Sequence, residues 1–120
     1  MKPRIDGTDF GSITVDGETC DHDIVIRLSG KVKKREKKLS KQQYGTSHTV
    51  SLAEAEYVYD DGAEQVIVGT GQHDVLKLSG EAEAFFKDHS CSVQALPTPD
   101  AVRAWNESAG KTIAMFHVTC

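Results

Sequence analysis

Apolar and polar residues recur along this chain with two periods. A period of two residues predicts strands, and a period of three to four residues predicts helices. Apolar positions within residues 10–15 lead into the dipeptide Asp16-Gly17, which supplies the positive φ angles of a two-residue hairpin turn. Ile24, Ile26 and Leu28 then alternate with Val25 and Arg27. The second face is thus partly apolar, as in a strand that is at least partly covered on both faces. The pattern therefore predicts a β-hairpin within residues 9–28.

Three later segments have the polar start and the spaced apolar positions of helices. Ser51 and Glu54 have the spacing of a capping box, in which each side chain satisfies a free amide of the helix start. Ser79 is placed to cap a second helix. Thr98 is placed to cap a third, with Pro99 at the first helical position. We expect these helices over residues 51–59, 79–89 and 98–110.

Between the helices lie short apolar runs that are typical of strands. They cover residues 65–68, 75–78, 93–96 and 113–118, and the last run is apolar enough for an interior strand. Strands that alternate with helices predict an α/β domain with a mixed, at least partly parallel sheet, because crossover helices must cover the faces of such a sheet. The length of 120 residues fits one domain, residues 1–120.

Composition sets the broad class of the protein. The chain is 38% hydrophobic and 27% charged, as in soluble globular proteins. No apolar run approaches the ~20 residues of a membrane-spanning helix, and residues 1–10 lack a signal-peptide core. Three cysteines cannot pair completely, which favours a reducing compartment. We therefore expect a cytoplasmic protein.

The charge pattern argues against a nucleic-acid partner. The net charge is −4, although residues 31–38 contain six basic residues and one acid. No aromatic residue lies between Lys31 and Lys41 to stack on bases. This basic segment is typical of a solvated edge strand, where lysines block unwanted pairing.

The loop at residues 69–74 has the most suggestive motif. Its two glycines follow a predicted buried strand, as in dinucleotide-binding loops, but Asp74 replaces the third glycine and no helix follows. A plain glycine turn, or a small anion-binding nest of backbone amides, fits better. The carboxyl ends of the predicted strands place this loop near residues 97–100 and 119–120, where α/β proteins bind ligands.

Histidines and cysteines give weaker signals. The histidines, which include His22, His48, His73 and His117, lack the spacing of a metal site, so we expect no metal and no cofactor. Cys91 is expected to be a small buried hydrophobe, and Cys120, beside a terminal carboxylate, a poor nucleophile. The loop at residues 44–48 presents two hydroxyls and an imidazole, which can either bind a polar ligand or cap their own backbone.

Several motifs in one order give the chain a family resemblance. They are Asp23-Ile-Val-Ile, Leu39-Ser-Lys, Gly45-Thr-Ser-His, Val66-Ile-Val-Gly-Thr-Gly-Gln-His, Leu96-Pro-Thr-Pro-Asp-Ala, Asn106 and His117-Val-Thr-Cys. The chain resembles the small domain shared by uncharacterised archaeal and bacterial proteins, the adipogenesis-associated protein of animals and a mitochondrial complex I assembly factor.

The resemblance implies a three-layer α/β fold with a central mixed sheet, flanking helices and an additional β layer. It implies an accessory or assembly role rather than a reaction. Family-like loop positions give the expected ligand-binding residues: Thr46, His48, Gly69, Thr70, Gly71, His73, Thr98 and Asn106.

Two functions follow as hypotheses. The first is a non-catalytic domain whose loop amides and histidines bind a protein partner or a small anionic ligand. The second is a small hydrolase or redox enzyme in which His48 or His73 is a general base, with Cys120 as an additional candidate. The enzyme needs an imidazole that is held by a third group, and the sequence does not identify that group.

Overall fold

The structure, a computed structural model, describes residues 2–120. A three-stranded antiparallel sheet is formed by β1 (Ile5–Asp9), β2 (Ser12–Val15) and β3 (Glu18–Cys20). The other strands are β4 (Ile24–Ile26), β5 (Val32–Lys34), β6 (Thr49–Val50), β7 (Gln65–Thr70), β8 (Lys77–Leu78), β9 (Ser92–Leu96) and β10 (Thr112–His117). The helices are α1 (Lys38–Tyr44), α2 (Leu52–Val58), α3 (Gly80–Asp88) and α4 (Thr98–Glu107).

A mixed five-stranded sheet in the order β5-β4-β10-β7-β9 forms the centre of the molecule. Strand β7 pairs in parallel with β10 and β9, whereas β4 pairs antiparallel with both β10 and β5. The short strands β6 and β8 form a separate parallel pair. The expected α/β fold with a partly parallel sheet is confirmed.

Apolar clusters on the two faces of this sheet explain its layers. One face packs against α2 and α3, whose buried residues include Ala55, Val58 and Phe86. The other face packs against α4 and the β1-β2-β3 sheet, with Trp105 and Ile13 among the buried residues. Strands β7 and β10 are buried almost completely because they are covered on both faces. The helices and the small sheet therefore sandwich the central sheet, as the resemblance implied.

Local sequence signals placed one turn and two helix starts correctly. Asp16 and Gly17, at φ 47° and 83°, form the expected turn between β2 and β3. The Ser51 and Ser79 side chains accept hydrogen bonds from the amides of Glu54 and Ala82, at 3.1 Å each. These three predictions are confirmed.

Other local predictions were wrong. Phe10, expected in a strand, lies in the turn between β1 and β2, and neither β1 nor α1 was foreseen. Pro97, not Thr98, is the N-cap of α4, and α4 ends at Glu107 instead of Gly110. Thr98 does not cap the helix because its hydroxyl is hydrogen-bonded to the ends of the two central strands, as described below. A tertiary contact thus replaced a local one.

No helix within residues 2–120 is long and apolar enough to cross a membrane.

Candidate functional site at the carboxyl edge of the sheet

The carboxyl ends of β7 and β10 and the start of α4 meet at one point. The Thr98 hydroxyl accepts a hydrogen bond from the Gly71 amide at 2.9 Å and donates one to the His117 carbonyl at 2.5 Å. The Thr98 amide donates to the Gly71 carbonyl at 3.0 Å. The predicted convergence of the loops after β7 and β9 is therefore present.

Close packing explains the glycines of the 69–74 loop. A Cβ on Gly69 would lie 2.9 Å from the Phe116 ring and 3.0 Å from the Thr98 hydroxyl. Gly71 has φ +105°, and a Cβ there would lie 2.2 Å from the backbone of Cys120. These glycines let the chain's own tail and α4 approach strand β7.

The amides of this loop donate to the chain itself. The His73 and Val75 amides both donate to the Cys120 carbonyl, at 2.9 and 3.3 Å, and the Gln72 amide donates to the Thr119 carbonyl at 2.7 Å. An anion-binding nest needs amides that point at the ligand. The carbonyls of the tail occupy that position here.

Two loop hydroxyls are also directed to the chain. The Thr70 side chain is buried and donates to the Asp74 carboxylate at 2.5 Å. The Thr46 hydroxyl accepts a hydrogen bond from the His48 amide at 3.1 Å, as in the self-capping alternative for this loop. Both hydroxyls stabilise the loop conformations.

His48 lies at the same edge, with its ring 5.4 Å from that of His117 in an edge-on arrangement. Burial, together with the positive potential of His117, Arg35 and Lys37, lowers the pKa of His48. This shift favours the neutral form of the His48 imidazole. His73 lies elsewhere on this edge: its ring is 5.9 Å from that of Phe10.

Asn106 is separate from the other predicted site residues. Its amide group accepts from the Ile5 amide at 3.0 Å and donates to the Ile5 carbonyl at 2.8 Å. Asn106 is eight positions after Thr98, and a helix rises about 1.5 Å per residue, so it lies about 12 Å along α4 from the loop cluster. Its role is to attach β1 to α4.

A buried ionic network under these loops was not predicted. Arg35 is 3% exposed. Its guanidinium donates to Glu54 at 2.5 and 2.9 Å, to Asp23 at 2.9 Å and to the Ser47 carbonyl at 2.6 Å. Burial alone would lower the pKa of Arg35, but the Glu54 and Asp23 carboxylates raise it. We had expected the basic segment to be solvated along its whole length. This expectation was wrong for Arg35, which points into the protein.

Asp23 connects this network to the carboxyl end of β10. One carboxylate oxygen accepts from the Val118 amide at 2.8 Å, and the other lies 2.8 Å from His117 Nδ1. Burial would raise the pKa of Asp23, but the donors His117, Val118 and Arg35 outweigh burial and hold it well below its usual range. Asp23 is therefore ionised, and His117 Nδ1 carries a proton toward it.

Glu54 holds the start of α2 differently from a capping box. Its carboxylate accepts from Arg35 and from the Ser40 hydroxyl, whereas the Ser51 amide donates to Ser40 at 2.9 Å. The predicted hydrogen bond from the Ser51 amide to the Glu54 carboxylate is therefore wrong, because that carboxylate is bound to the buried guanidinium of Arg35 instead. The network as a whole attaches α1, α2 and the 44–48 loop to the sheet.

Sequence reasoning could not identify this network from local signals. Arg35 lies in a lysine-rich run, Asp23 starts a strand, and Glu54 fits a capping box. The strand period gave no hint, because it places position 35 on the same face as the exposed Lys33 and opposite the half-buried Val32. Only the packing of α2 against the sheet brings the Glu54 carboxylate, together with that of Asp23, into contact with Arg35.

The network aligns three groups that an imidazole base would use. His117 Nε2 lies 3.4 Å from the Thr119 hydroxyl, while its Nδ1 contacts Asp23. The third group that the enzyme hypothesis required is thus present for His117, whereas within residues 2–120 no hydrogen bond holds the ring of His48 or His73. Among residues 2–120, every buried side-chain nitrogen and oxygen has a hydrogen-bond partner.

The metal-ligating side chains and the thiols of residues 2–120 are dispersed. Within residues 2–120, no three His, Cys, Asp or Glu side chains are grouped to hold a metal. Cys91 is buried, as expected, and burial raises its pKa to about 11. Cys20 and Cys120 are half-buried free thiols.

The exposed face of the loop cluster carries two apolar side chains and is firmly held. Phe10 is 62% exposed, and Val75 is 44% exposed. The turn that carries Phe10 is fixed by the Gly11 amide, which donates to the Val118 carbonyl at 2.7 Å. The Gln72 side chain also donates to the Asp9 carbonyl at 3.2 Å. We call Phe10, His73, Asp74 and Val75 the carboxyl-edge surface.

Comparison with known proteins gives a consistent set of relatives. A family described as "Protein of unknown function (DUF498/DUF598)" matches residues 5–117. The conserved hypothetical protein PH1505 of Pyrococcus horikoshii is 34% identical, with a TM-score of 0.91 over 98% of this chain and 99% of that one. A protein designated MT938 is 30% identical, with a TM-score of 0.85 over 99% and 100% of the two chains.

A more distant relative shares the fold. A Mth938-like domain from Bordetella pertussis is 20% identical, with a TM-score of 0.64 over 97% of this chain and 85% of that one. The relatives agree with the uncharacterised archaeal and bacterial part of the resemblance.

Proposed function

The chain belongs to the DUF498/DUF598 family of proteins of unknown function, and we propose that it is a non-catalytic accessory domain that docks a partner protein on the carboxyl-edge surface. The exposure of Phe10 carries this proposal. A large aromatic side chain that is 62% exposed costs solvation free energy in the isolated protein, and such residues are enriched in protein interfaces.

The rigidity of the surface supports the same function. The Phe10 turn, the 72–75 loop and the tail are joined by hydrogen bonds, and the buried Arg35 network holds the neighbouring 44–48 loop. Binding to a preformed surface loses less conformational entropy than binding to a flexible one. The resemblance to a complex I assembly factor, noted above, agrees with docking rather than catalysis.

The chemistry of the surface describes the partner. Phe10 and Val75 would fit an apolar cavity on the partner. The exposed carboxylates of Asp9 and Asp74 favour basic residues around that cavity. A small anionic ligand is less well supported, because the tail carbonyls already accept from the loop amides. The protein-partner form of the first hypothesis is therefore the one we retain.

Quantitative affinity capture from a lysate of the native organism tests the proposal. Wild type, Phe10→Ala and Val75→Asp would be immobilised at equal loading, with Gln43→Ala as a control at an exposed position outside the surface. We expect at least one protein to be recovered by wild type and the control, and to fall about tenfold or more with Phe10→Ala, as for an interface hot spot.

A photo-cross-linking residue at position 74 identifies the contact. The captured protein should cross-link there and not from position 43. Equal recovery by all four forms, or cross-linking only from position 43, would refute docking at this surface.

A hydrolase is the second candidate, and the alignment of Asp23, His117 and Thr119 favours it. Thr119 lines a cavity of about 430 Å³ together with Lys34 and Lys37, where a substrate could bind. Incubation with a fluorophosphonate probe followed by peptide mapping separates the two functions. Labelling of Thr119 that is lost in His117→Gln would support a hydrolase, whereas the accessory domain predicts no labelling above the Thr119→Val background.

A further inference from the structure

The two edges of the central sheet have opposite surface chemistry. At one edge, β5 carries Lys33 and Lys34 beside Lys31, and lysines on an edge strand prevent pairing with other chains. At the other edge, β9 has the sequence Ser-Val-Gln-Ala-Leu, with no charge, proline or glycine. Only the β5 edge is protected.

The unpaired side of β9 is available for hydrogen bonding. The Ser92 amide donates to the carbonyl of Glu64, the residue before β7, at 3.0 Å, so Ser92, Gln94 and Leu96 direct their backbone groups to β7. By the alternation of a strand, Val93 and Ala95 direct their amides and carbonyls away from the sheet. Both residues are also exposed.

An open groove of about 920 Å³ runs beside this edge, between β9, α3 and residues 74–78. We call it the side groove. The floor includes Val93, which is 36% exposed, and Ala95, while α3 contributes Glu83, Ala84 and Lys87. The apolar floor and the open strand edge therefore face the same space.

The pattern of charges in the side groove is self-complementary. Glu83 and Lys87 lie one helical turn apart on the groove side of α3, with the small Ala84 between them. A two-fold axis reverses the order of residues in the second copy. Glu83 of one copy then faces Lys87 of the other, twice, although the net charge of −4 would otherwise make two copies repel.

The backbone fits the same two-fold axis. Antiparallel pairing of two β9 strands around Gln94 sets Val93 opposite Ala95 of the second copy. These are the residues with outward backbone groups, so each pair exchanges two hydrogen bonds. The floor of the side groove is covered in the same step.

We propose that β9 and the side groove form a symmetric interface with a second copy of this chain, joining the two five-stranded sheets into one continuous sheet. The side groove shares Asp74 and Val75 with the carboxyl-edge surface, but this proposal rests on β9 and α3 and does not depend on the docking of a partner at Phe10.

Sedimentation velocity and light scattering over micromolar to near-millimolar concentrations test the proposal. We expect a concentration-dependent dimer of the wild type. Glu83→Lys and Lys87→Glu should each raise the dimer dissociation constant roughly tenfold, because each replaces two attractive contacts by two repulsive ones. The double variant Glu83→Lys/Lys87→Glu should recover dimerisation, a result that a purely structural defect would not give.

A proline and a matched charge variant complete the design. Ala95→Pro removes the outward amide without touching the ladder to β7, since proline is tolerated on the free side of an edge strand, and it should abolish the dimer. Glu107→Lys on α4 makes the same charge change as Glu83→Lys at an exposed position and should leave the dimer unchanged. A wild type that is monomeric throughout, or a dimer that none of the groove variants weakens, would overturn the proposal.

Discussion

Removal of the Arg35 guanidinium should destabilise the protein more than any exposed charge can. In Arg35→Met, the carboxylates of Asp23 and Glu54, each at most 1% exposed, lose their cation. Breaking a buried ion pair by removing one partner costs about 3–5 kcal/mol. A chain of this length has a total unfolding free energy of about 6–18 kcal/mol, so the variant should fold but be clearly weakened.

Thermal and urea unfolding followed by circular dichroism would measure the loss. An unfolding entropy of about 2.1 cal/mol/K per residue gives about 0.25 kcal/mol/K for this chain, so 4 kcal/mol corresponds to a decrease of about 16 °C in Tm. The control is Arg103→Met, which breaks an exposed pair with Asp100 and should cost less than about 1 kcal/mol.

A double-mutant cycle with Glu54→Gln isolates the pair. If unpaired charge causes the loss, Arg35→Met should cost at least about 2 kcal/mol less in the Glu54→Gln background. A cost for Arg35→Met that matched Arg103→Met, or that did not change with Glu54→Gln, would refute the assignment of the network as the support of the loops.

Three further predictions concern pH, the loop glycine and the thiols. Because the folded-state pKa of Asp23 lies below its unfolded value, its contribution to stability is complete above about pH 4 and is lost as the pH falls further. In urea titrations at acid pH, Asp23→Asn should therefore make the unfolding free energy depend less on pH than in the wild type. An unchanged pH dependence would contradict this role of Asp23. Gly71→Ala should lower the free energy of unfolding more than the control Gly17→Ala. Gly17 has a similar positive φ of +83°, but no atom lies within 4 Å of a Cβ there. Equal losses of about 1 kcal/mol for the two variants would mean that the tail does not restrict Gly71. Burial and its pKa of about 11 should make Cys91 much slower than Cys120 in thiol labelling at pH 8, and comparable rates for the two, measured by peptide mapping, would exclude the buried position.

Much of the architecture could be predicted from local residues. The turn at Asp16-Gly17 and the caps at Ser51 and Ser79 depend on neighbours within three residues, so the sequence around each one contains the cause. The interior strand β10 was predicted because a continuous apolar run needs cover on both faces. Strand β1 was missed because its sequence, Ile-Asp-Gly-Thr-Asp, is mainly polar.

The candidate site was predicted only in part, for a related reason. The meeting of Gly71 and Thr98 follows from parallel strands whose carboxyl ends share an edge. The same rule could not show that the tail would occupy the loop amides, or that Asn106 would lie along the helix away from them. Those outcomes depend on how far each segment reaches in space.

The amino-acid sequence by itself determined the alternation of strands and helices, the apolar interior strands and the turns, because short-range hydrogen bonding and hydrophobic periodicity act along the chain. Only the tertiary structure decided that Arg35 is buried between Asp23 and Glu54, that Phe10 is exposed and that β9 is an open edge. Burial of a charge and exposure of an apolar group depend on which distant segments cover them, since solvation is a property of the surroundings rather than of the residue.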